Sequence, residues 1–324
     1  VNWTTAAPFH RAGACYTSRL MPLLVTGSIG IDTIHAPTGK AERVMGGSCS
    51  YFSAAAAFHS PVRVVGAVGG DWPDEHRETF ESLENVCIEG LERRADSQTF
   101  AWGGRYFENM NERETLFTEL GVLEEPPPKI PGKYRDSEFI FLANTHPDVQ
   151  QELVSHFPNR KLAVADTMDL WINIAHDELL ALFKSIDGII INDSEAEQLT
   201  EETNPITAAR KLLETGLTFV VVKKGEHGAV LVHPDGIALV PAFPAEAHQV
   251  VDPTGAGDSF AGGMMGHIAS VGLTDFDNLQ TALGWGTVTA SFAIESFGLD
   301  GLLRITRKDI DKRMEAFQRA TRVG

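Results

Sequence analysis

A chain of 324 residues, 43% hydrophobic and 22% charged, has the composition of an ordinary globular protein with a full core. Its 27 basic and 44 acidic side chains give a formal charge of −17, which argues against nucleic acid or an anionic membrane as partner, because both call for a basic face. No apolar run approaches the ~18 residues of a membrane span. The three cysteines (Cys15, Cys49, Cys87) lack metal-ligand spacing, so a reducing cytoplasm is the expected setting.

Val1 to Leu20 carries Arg11 and Arg19 without the apolar stretch of a signal peptide. Residues 1–20 are therefore expected to be a disordered extension, or to lie upstream of the usual start at Met21, with one domain over 21–324. Strand-like runs follow at Leu23 to Val25, Arg63 to Val65, Phe139 to Leu142, Leu162 to Ala165, Gly188 to Ile191 and Phe219 to Val222. Each is short, apolar and rich in β-branched residues, the pattern of strands buried on both faces of a parallel sheet. Helical stretches separate most of them, at Tyr51 to His59, Pro73 to Glu84, Asp177 to Lys184 and Pro205 to Thr215. That alternation predicts an α/β fold, a three-layer α/β/α sandwich around a mainly parallel sheet.

Two segments break the rhythm. About 31–45 and 98–120 mix polar with β-branched or aromatic residues, including Phe100, Trp102, Tyr106 and Phe107. They predict antiparallel strands exposed on one face, hence a small β-sheet lid. Pro126-Pro127-Pro128 makes an extended connector back to the core. Near the end, Ala229 to Val232 and Ile237 to Val240 predict a hairpin. Thr306 with Asp309 predicts a capping box, opening a helix whose Ile310, Met314 and Phe317 form one apolar stripe.

The strongest chemical signal is Asp252-Pro253-Thr254-Gly255-Ala256-Gly257-Asp258, a Gly-rich turn that opens a helix with Phe260, Met264 and Ile268 four apart. Gly255 and Gly257 leave the backbone bare at a helix N-terminus, where free N–H groups and the positive dipole end make an anion site. Donors fixed there would stabilise the charge of a transferring phosphoryl group. Asp258 at its rim is placed to take a proton from an attacking hydroxyl; a plain helix cap is the competing role.

This segment resembles the C-terminal signature of the PfkB, or ribokinase-like, family of carbohydrate kinases, whose core reads D-T-x-G-A-G-D. The resemblance runs over most of the chain from Met21. It implies an ATP-dependent phosphotransferase acting on a hydroxyl of a sugar, with Asp258 as general base and the amides of Gly255, Ala256 and Gly257 as anion hole. Four further places match. Gly27-Ser28-Ile29-Gly30-Ile31-Asp32 is similar to the opening motif, in which Asp32 would hold acceptor hydroxyls. Gly46-Gly47 before an Ala-rich helix looks like the N-terminal signature, whose bare amides approach the acceptor. Asn192-Asp193-Ser194-Glu195 resembles the N-x-x-E motif, implying Mg²⁺ held by Asn192 and Glu195 through water. Lys223-Lys224-Gly225-Glu226-His227-Gly228 resembles the nucleotide loop, implying contacts from Asn192, Lys224, Gly225 and Gly228. Lys223 and Lys224 could equally be surface charges.

The chain also departs from the ribokinase pattern, with Ser48 and Tyr51 where Lys and Asn are usual. Tyr51 would stack on a ring, donate a hydrogen bond or fill the helix–lid contact. Asn144 stands where the family places another acceptor-binding group. Arg105 and Arg113 in the lid either reach the acceptor or remain solvated. A nucleoside kinase on the same fold, and a non-catalytic sugar- or nucleotide-binding regulator, are the alternatives. A monovalent cation (K⁺) near Val251 to Asp252 and the Ala293 to Gly298 loop, and a homodimer paired through the lid, are implied by resemblance and by exposed lid strands. No G-x-x-x-x-G-K-[ST], G-x-G-x-x-G after the first strand, or H-E-x-x-H occurs, which argues against P-loop, dinucleotide and zinc chemistries.

Overall fold

The computed structural model describes residues 21–322, so the expectation for residues 1–20 lies outside the described residues. The first half runs β1 (Leu23–Thr26), β2 (Gly30–Ala36), β3 (Gly39–Gly46), α1 (Ser48–Ala56), β4 (Val62–Gly69) and α2 (Asp74–Ser82). It continues with β5 (Val86–Arg94), β6 (Phe100–Tyr106), β7 (Arg113–Glu119), β8 (Phe139–Leu142), α3 (Pro147–Ser155) and β9 (Leu162–Ala165). Then come α4 (Asp169–Ile174), α5 (His176–Phe183), β10 (Gly188–Asn192), α6 (Asp193–Thr200), α7 (Pro205–Leu213) and β11 (Phe219–Lys223). Last are β12 (Ala229–His233), β13 (Gly236–Val240), α8 (Ala256–Val271), α9 (Phe276–Ala293), α10 (Asp300–Leu303) and α11 (Arg307–Thr321).

Nine strands form one sheet in the order β13-β12-β11-β10-β9-β8-β1-β4-β5. All neighbours from β5 to β11 pair parallel, while β11–β12 and β12–β13 pair antiparallel at one edge. Successive strand residues point to opposite faces, and the apolar runs supply both. Val25, Phe141, Val164 and Val221 pack against α1, α8, α9 and α11, while Leu24, Ile140, Ala163 and Val220 pack against α3, α5, α6 and α7. Phe52 of α1 stacks on Phe141, ring centroids 4.3 Å apart. The result is the predicted three-layer sandwich.

Two expectations change. The lid is a four-stranded sheet, order β3-β2-β6-β7, but its central pair β2–β6 is parallel: the two hairpins arrive separately, after β1 and after β5, which run the same way in the main sheet. β5 was not visible as a strand. Its Glu89, Glu92, Arg93 and Arg94 belong to an edge strand, where charge discourages pairing with another chain, and that charge hides the apolar signal. No helix among the described residues is long and apolar enough to cross a membrane.

One buried group gives the fold a pH dependence. His59, past the end of α1, is only 6% exposed, and Arg307 approaches its Nδ1 at 3.5 Å while lying 5.1 Å from the Trp285 ring centroid. Burial first, then the charge of Arg307 and the nearness of His267, pushes its pKa down to about 3. The unfolded chain therefore takes up a proton below pH 6.5 that the native state refuses. Stability present above pH 6.5 should fall as pH drops towards 3, by up to about 1.4 kcal/mol per pH unit. Thermal melts across that range should show the slope in the parent, and a shallower one in His59→Gln.

Candidate active site

The main sheet ends in a cleft of about 810 Å³ under the lid. Its floor is made by residues at or just past the carboxyl ends of strands: Ser28 after β1, Asn144 after β8, Asp166 after β9, Asn192 ending β10 and Lys223 ending β11. That is where open parallel sheets bind ligands, because the connections there diverge.

The Gly-rich turn enters this cleft as α8 begins. Gly255 is the N-cap, in the left-handed region at φ 73°, and Asp258 is the third helical residue. A side chain on Gly255 would overlap the Tyr51 ring, so that ring closes one wall of the turn. A Cβ on Gly257 would lie 2.6 Å from Lys223 Nζ, so the ammonium stands directly over the bare backbone. The Ala256 N–H donates to the Pro253 carbonyl at 3.1 Å, which corrects the expectation that all three amides face an anion. The amides of Gly255 and Gly257 are the cradle's remaining donors. Burial raises the Asp258 pKa, opposed by the positive charges of Lys223 and Arg113.

Asp32 lies opposite, on β2, 3% exposed, with Oδ1 lacking any protein partner. Its carboxyl rests on Gly46 and accepts from the Gly47 N–H. Burial, then the negative charges of Asp258 and Asp252, lifts its pKa to about 8. Such a group gains from any hydroxyl that replaces its lost water. A methyl at residue 46 would coincide with the Asp32 carboxyl. Gly46→Ala is therefore expected to raise the acceptor KM by about tenfold or more, the loss expected when ~1.4 kcal/mol of binding is removed, with nucleotide KM little changed in steady-state kinetics.

The other sequence candidates divide. Tyr51 presents a buried hydroxyl without a protein partner, its pKa held up by burial. Asn144 lines the cleft but is engaged, its Oδ1 accepting from Trp171 Nε1 at 2.8 Å. Asn192 and Glu195 form a reciprocal capping box, Glu195 N–H to Asn192 Oδ1 at 2.7 Å and Asn192 N–H to Glu195 Oε2 at 2.8 Å. Gly225 and Gly228 line the cleft at φ 52° and 88°; a Cβ on Gly228 would overlap the Val240 carbonyl. Lys224 does not line the cleft. Lys223, the last residue of β11, does, so the cleft-lining lysine is one residue earlier than expected.

In the lid, Arg105 pairs with Glu114 in solvent at 3.4 Å, whereas Arg113 lines the cleft, its guanidinium 5.6 Å from the Trp102 ring centroid. Tyr106 and Thr254 hydroxyls meet at 3.2 Å, tying the lid to the Gly-rich turn. Asn111 at the lid tip donates to Glu226 of the nucleotide-side loop at 2.9 Å. The lid is thus closed across both halves of the cleft.

This arrangement agrees with the comparisons. The family model described as pfkB family carbohydrate kinase matches residues 156–304. A cytidine kinase of Thermococcus kodakarensis is 28% identical over 253 residues, 76% of this chain and 88% of its own. The chain thus resembles the PfkB family of carbohydrate kinases through its second half, and that cytidine kinase over most of its length. The kinases it resembles are phosphotransferases, and this protein is one with an alcohol group as acceptor. Two solved structures carry the same fold. A nucleoside kinase of Methanocaldococcus jannaschii superposes with TM-score 0.73 at 21% identity, over 92% of this chain and 99% of that one. Arabidopsis thaliana ribokinase, complexed with ribose and ATP, gives 0.72 at 21%, over 91% and 99%.

Asp166 was overlooked. It is 5% exposed and lines the cleft beside Asp258. The available signal was its position immediately after an apolar core strand, where ligands of open parallel sheets bind.

Proposed function

We propose that this kinase transfers the γ-phosphoryl group of ATP to a hydroxyl of a sugar, acting as a single domain from about residue 21 onward. The observation that carries the reading is the Asp258 carboxyl beside the Gly255 and Gly257 amides, with Lys223 over the same backbone and Asp32 across the cleft. Asp32 and the Tyr51 hydroxyl hold acceptor hydroxyls. Asp258 takes the proton of the attacking hydroxyl as its oxygen bonds to the γ-phosphorus and the bond to the β-phosphate oxygen breaks. The two glycine amides and Lys223 meet the charge on the transferring group. The Tyr106–Thr254 and Asn111–Glu226 contacts keep water out while the acceptor is bound.

Glu195 and Asn192 suit a hydrated Mg²⁺ held through its water. Their capping box uses Asn192 Oδ1 and Glu195 Oε2, which leaves Glu195 Oε1 as the acceptor from a metal-bound water. Mg²⁺ supplies neutralisation of the phosphate charge when bound. The proposed K⁺ position fits less well. Val251 O accepts from Thr38, Ile294 O from two amides, and the Asp252 oxygens from Thr254 N–H and Gly298 N–H, so no step is assigned to that cation.

A nucleoside acceptor is the second reading, favoured by Phe100, Trp102 and Tyr106 along the lid side of the cleft, surfaces on which a base would stack. The cytidine kinase likeness points the same way. An ATP-consumption screen over pentoses, hexoses, cytidine, adenosine and inosine decides between them. Turnover with free sugars alone supports the first reading and turnover with nucleosides the second; no turnover with any polyhydroxylated acceptor would sink both. The charge of −17 supports small-molecule partners over nucleic acid or membrane, and a cytoplasmic setting goes with that reading. β7, exposed along its whole length at the lid edge, is the strand through which a homodimer would pair.

A further inference from the structure

The base has a second carboxyl beside it. Asp166 and Asp258 lie within hydrogen-bond reach of each other, on different elements, both facing the cleft floor. Asp166 is 5% exposed, and its Oδ1 has no protein donor among the described residues. Two carboxylates have only acceptor oxygens, so a proton on one of them is what can join them. The surrounding charges do not make a doubly ionised pair stable. Lys223 is the nearby cation for both carboxyls, with Arg113 acting on Asp258, against Glu195 of like sign beside Asp166. Cys49, buried on α1 next to Asp166, remains a neutral thiol. Like charges this close in a desolvated pocket retain one proton between them.

We propose that Asp166 carries that proton and donates it in a hydrogen bond to the Asp258 carboxylate, so that it aims the base and keeps it ionised. The inference rests on Asp258 being the base. In the transfer, the acceptor O–H proton goes to the other, cleft-facing oxygen of Asp258 as the O–P bond forms and the β–γ bridging bond breaks. Asp166 keeps its own proton throughout, and the proton on Asp258 leaves to solvent after the products. Burial raises both groups; the Lys223 ammonium opposes it at both, and the Arg113 guanidinium opposes it at Asp258 as well, so Asp258 is the carboxyl its surroundings favour as ionised. Asp166 is therefore a positioning residue, acting through Asp258 rather than on the substrate.

The test compares Asp166→Ala with Asp166→Asn in the full chain, each checked by thermal melt, with kcat measured from about pH 5 to 10. Asp166→Ala should lower kcat by about 10- to 100-fold and move the acid limb up by about one pH unit, since the donor that keeps Asp258 ionised is gone. Asp166→Asn, whose amide N–H can replace the donated proton, should recover most of kcat and return the acid limb towards the parent position. It should also abolish an alkaline limb arising from loss of the Asp166 proton. The proposal is overturned if both variants scale the parent profile without moving either limb, or if Asp166→Asn is as damaged as Asp166→Ala. It is equally overturned if the variants only raise half-saturating Mg²⁺ tenfold, which would make Asp166 a metal-side group. Asp258→Asn, run alongside, separates the two readings. If that variant stays active the base assignment itself fails; if it is inactive while the Asp166 profiles do not move, only the pair fails.

Discussion

Asp258→Asn should lower kcat by 10² or more with little change in either KM, because it removes a proton acceptor and leaves the shape of the cleft intact. The residue sits in the first turn of α8, where an Asn side chain keeps the same volume and still serves the helix N-terminus. A cap alone would predict unchanged turnover with little change in stability, so steady-state kinetics and a thermal melt on the same variant discriminate the two roles. The pH profile adds a second reading. Burial raises the Asp258 pKa, so the base is protonated, and the parent activity lost, as pH falls through a value above the ordinary carboxylate range. The residual activity of Asp258→Asn should lack that acid limb. Turnover within about threefold of the parent would leave Asp258 a cap and remove it from the chemistry.

The layered sheet was legible because its strands are buried on both faces, which writes them as uninterrupted apolar runs such as Gly188 to Ile191 and Phe219 to Val222. β5 was not, since an edge strand needs no apolar run and carries charge. The lid's parallel centre was also hidden, because local alternation specifies a strand and says nothing of its partner's direction. At the site, glycines were the readable letters. Gly46 and Gly255 each have a side chain, Asp32 or Tyr51, occupying the place a Cβ would take, and that requirement holds however the rest of the pocket varies. Tyr51, which stands where Asn is usual, packs through the same contact, its ring being the wall of the Gly-rich turn. Asp166 and Lys223 were illegible for a different reason. Each is a single charged residue at a strand end, and only the fold shows that both converge on Asp258.

That convergence makes Lys223→Met the second large effect. The ammonium stands over Gly257, where the proposed transfer would bring the phosphoryl group against the backbone, and it is a nearby positive charge for Asp166, Glu195 and Asp258. Met keeps most of the side-chain length and loses the charge. Removing one fixed donor to developing charge in a water-poor site costs about 10² to 10³ in kcat, and the loss should appear in kcat more than in the acceptor KM, since Asp32 lies on the other wall. A second consequence has a definite sign. Lys223 lowers the pKa of Asp258, so without it the base protonates at higher pH and the acid limb should move up. Lys224→Met serves as comparison, because that side chain does not line the cleft and should change kcat by less than about threefold, as surface charges commonly do. Equal losses in the two variants would place the lysine effect in the general field of the loop rather than at the anion cradle, and an unshifted acid limb in Lys223→Met would disconnect the ammonium from Asp258.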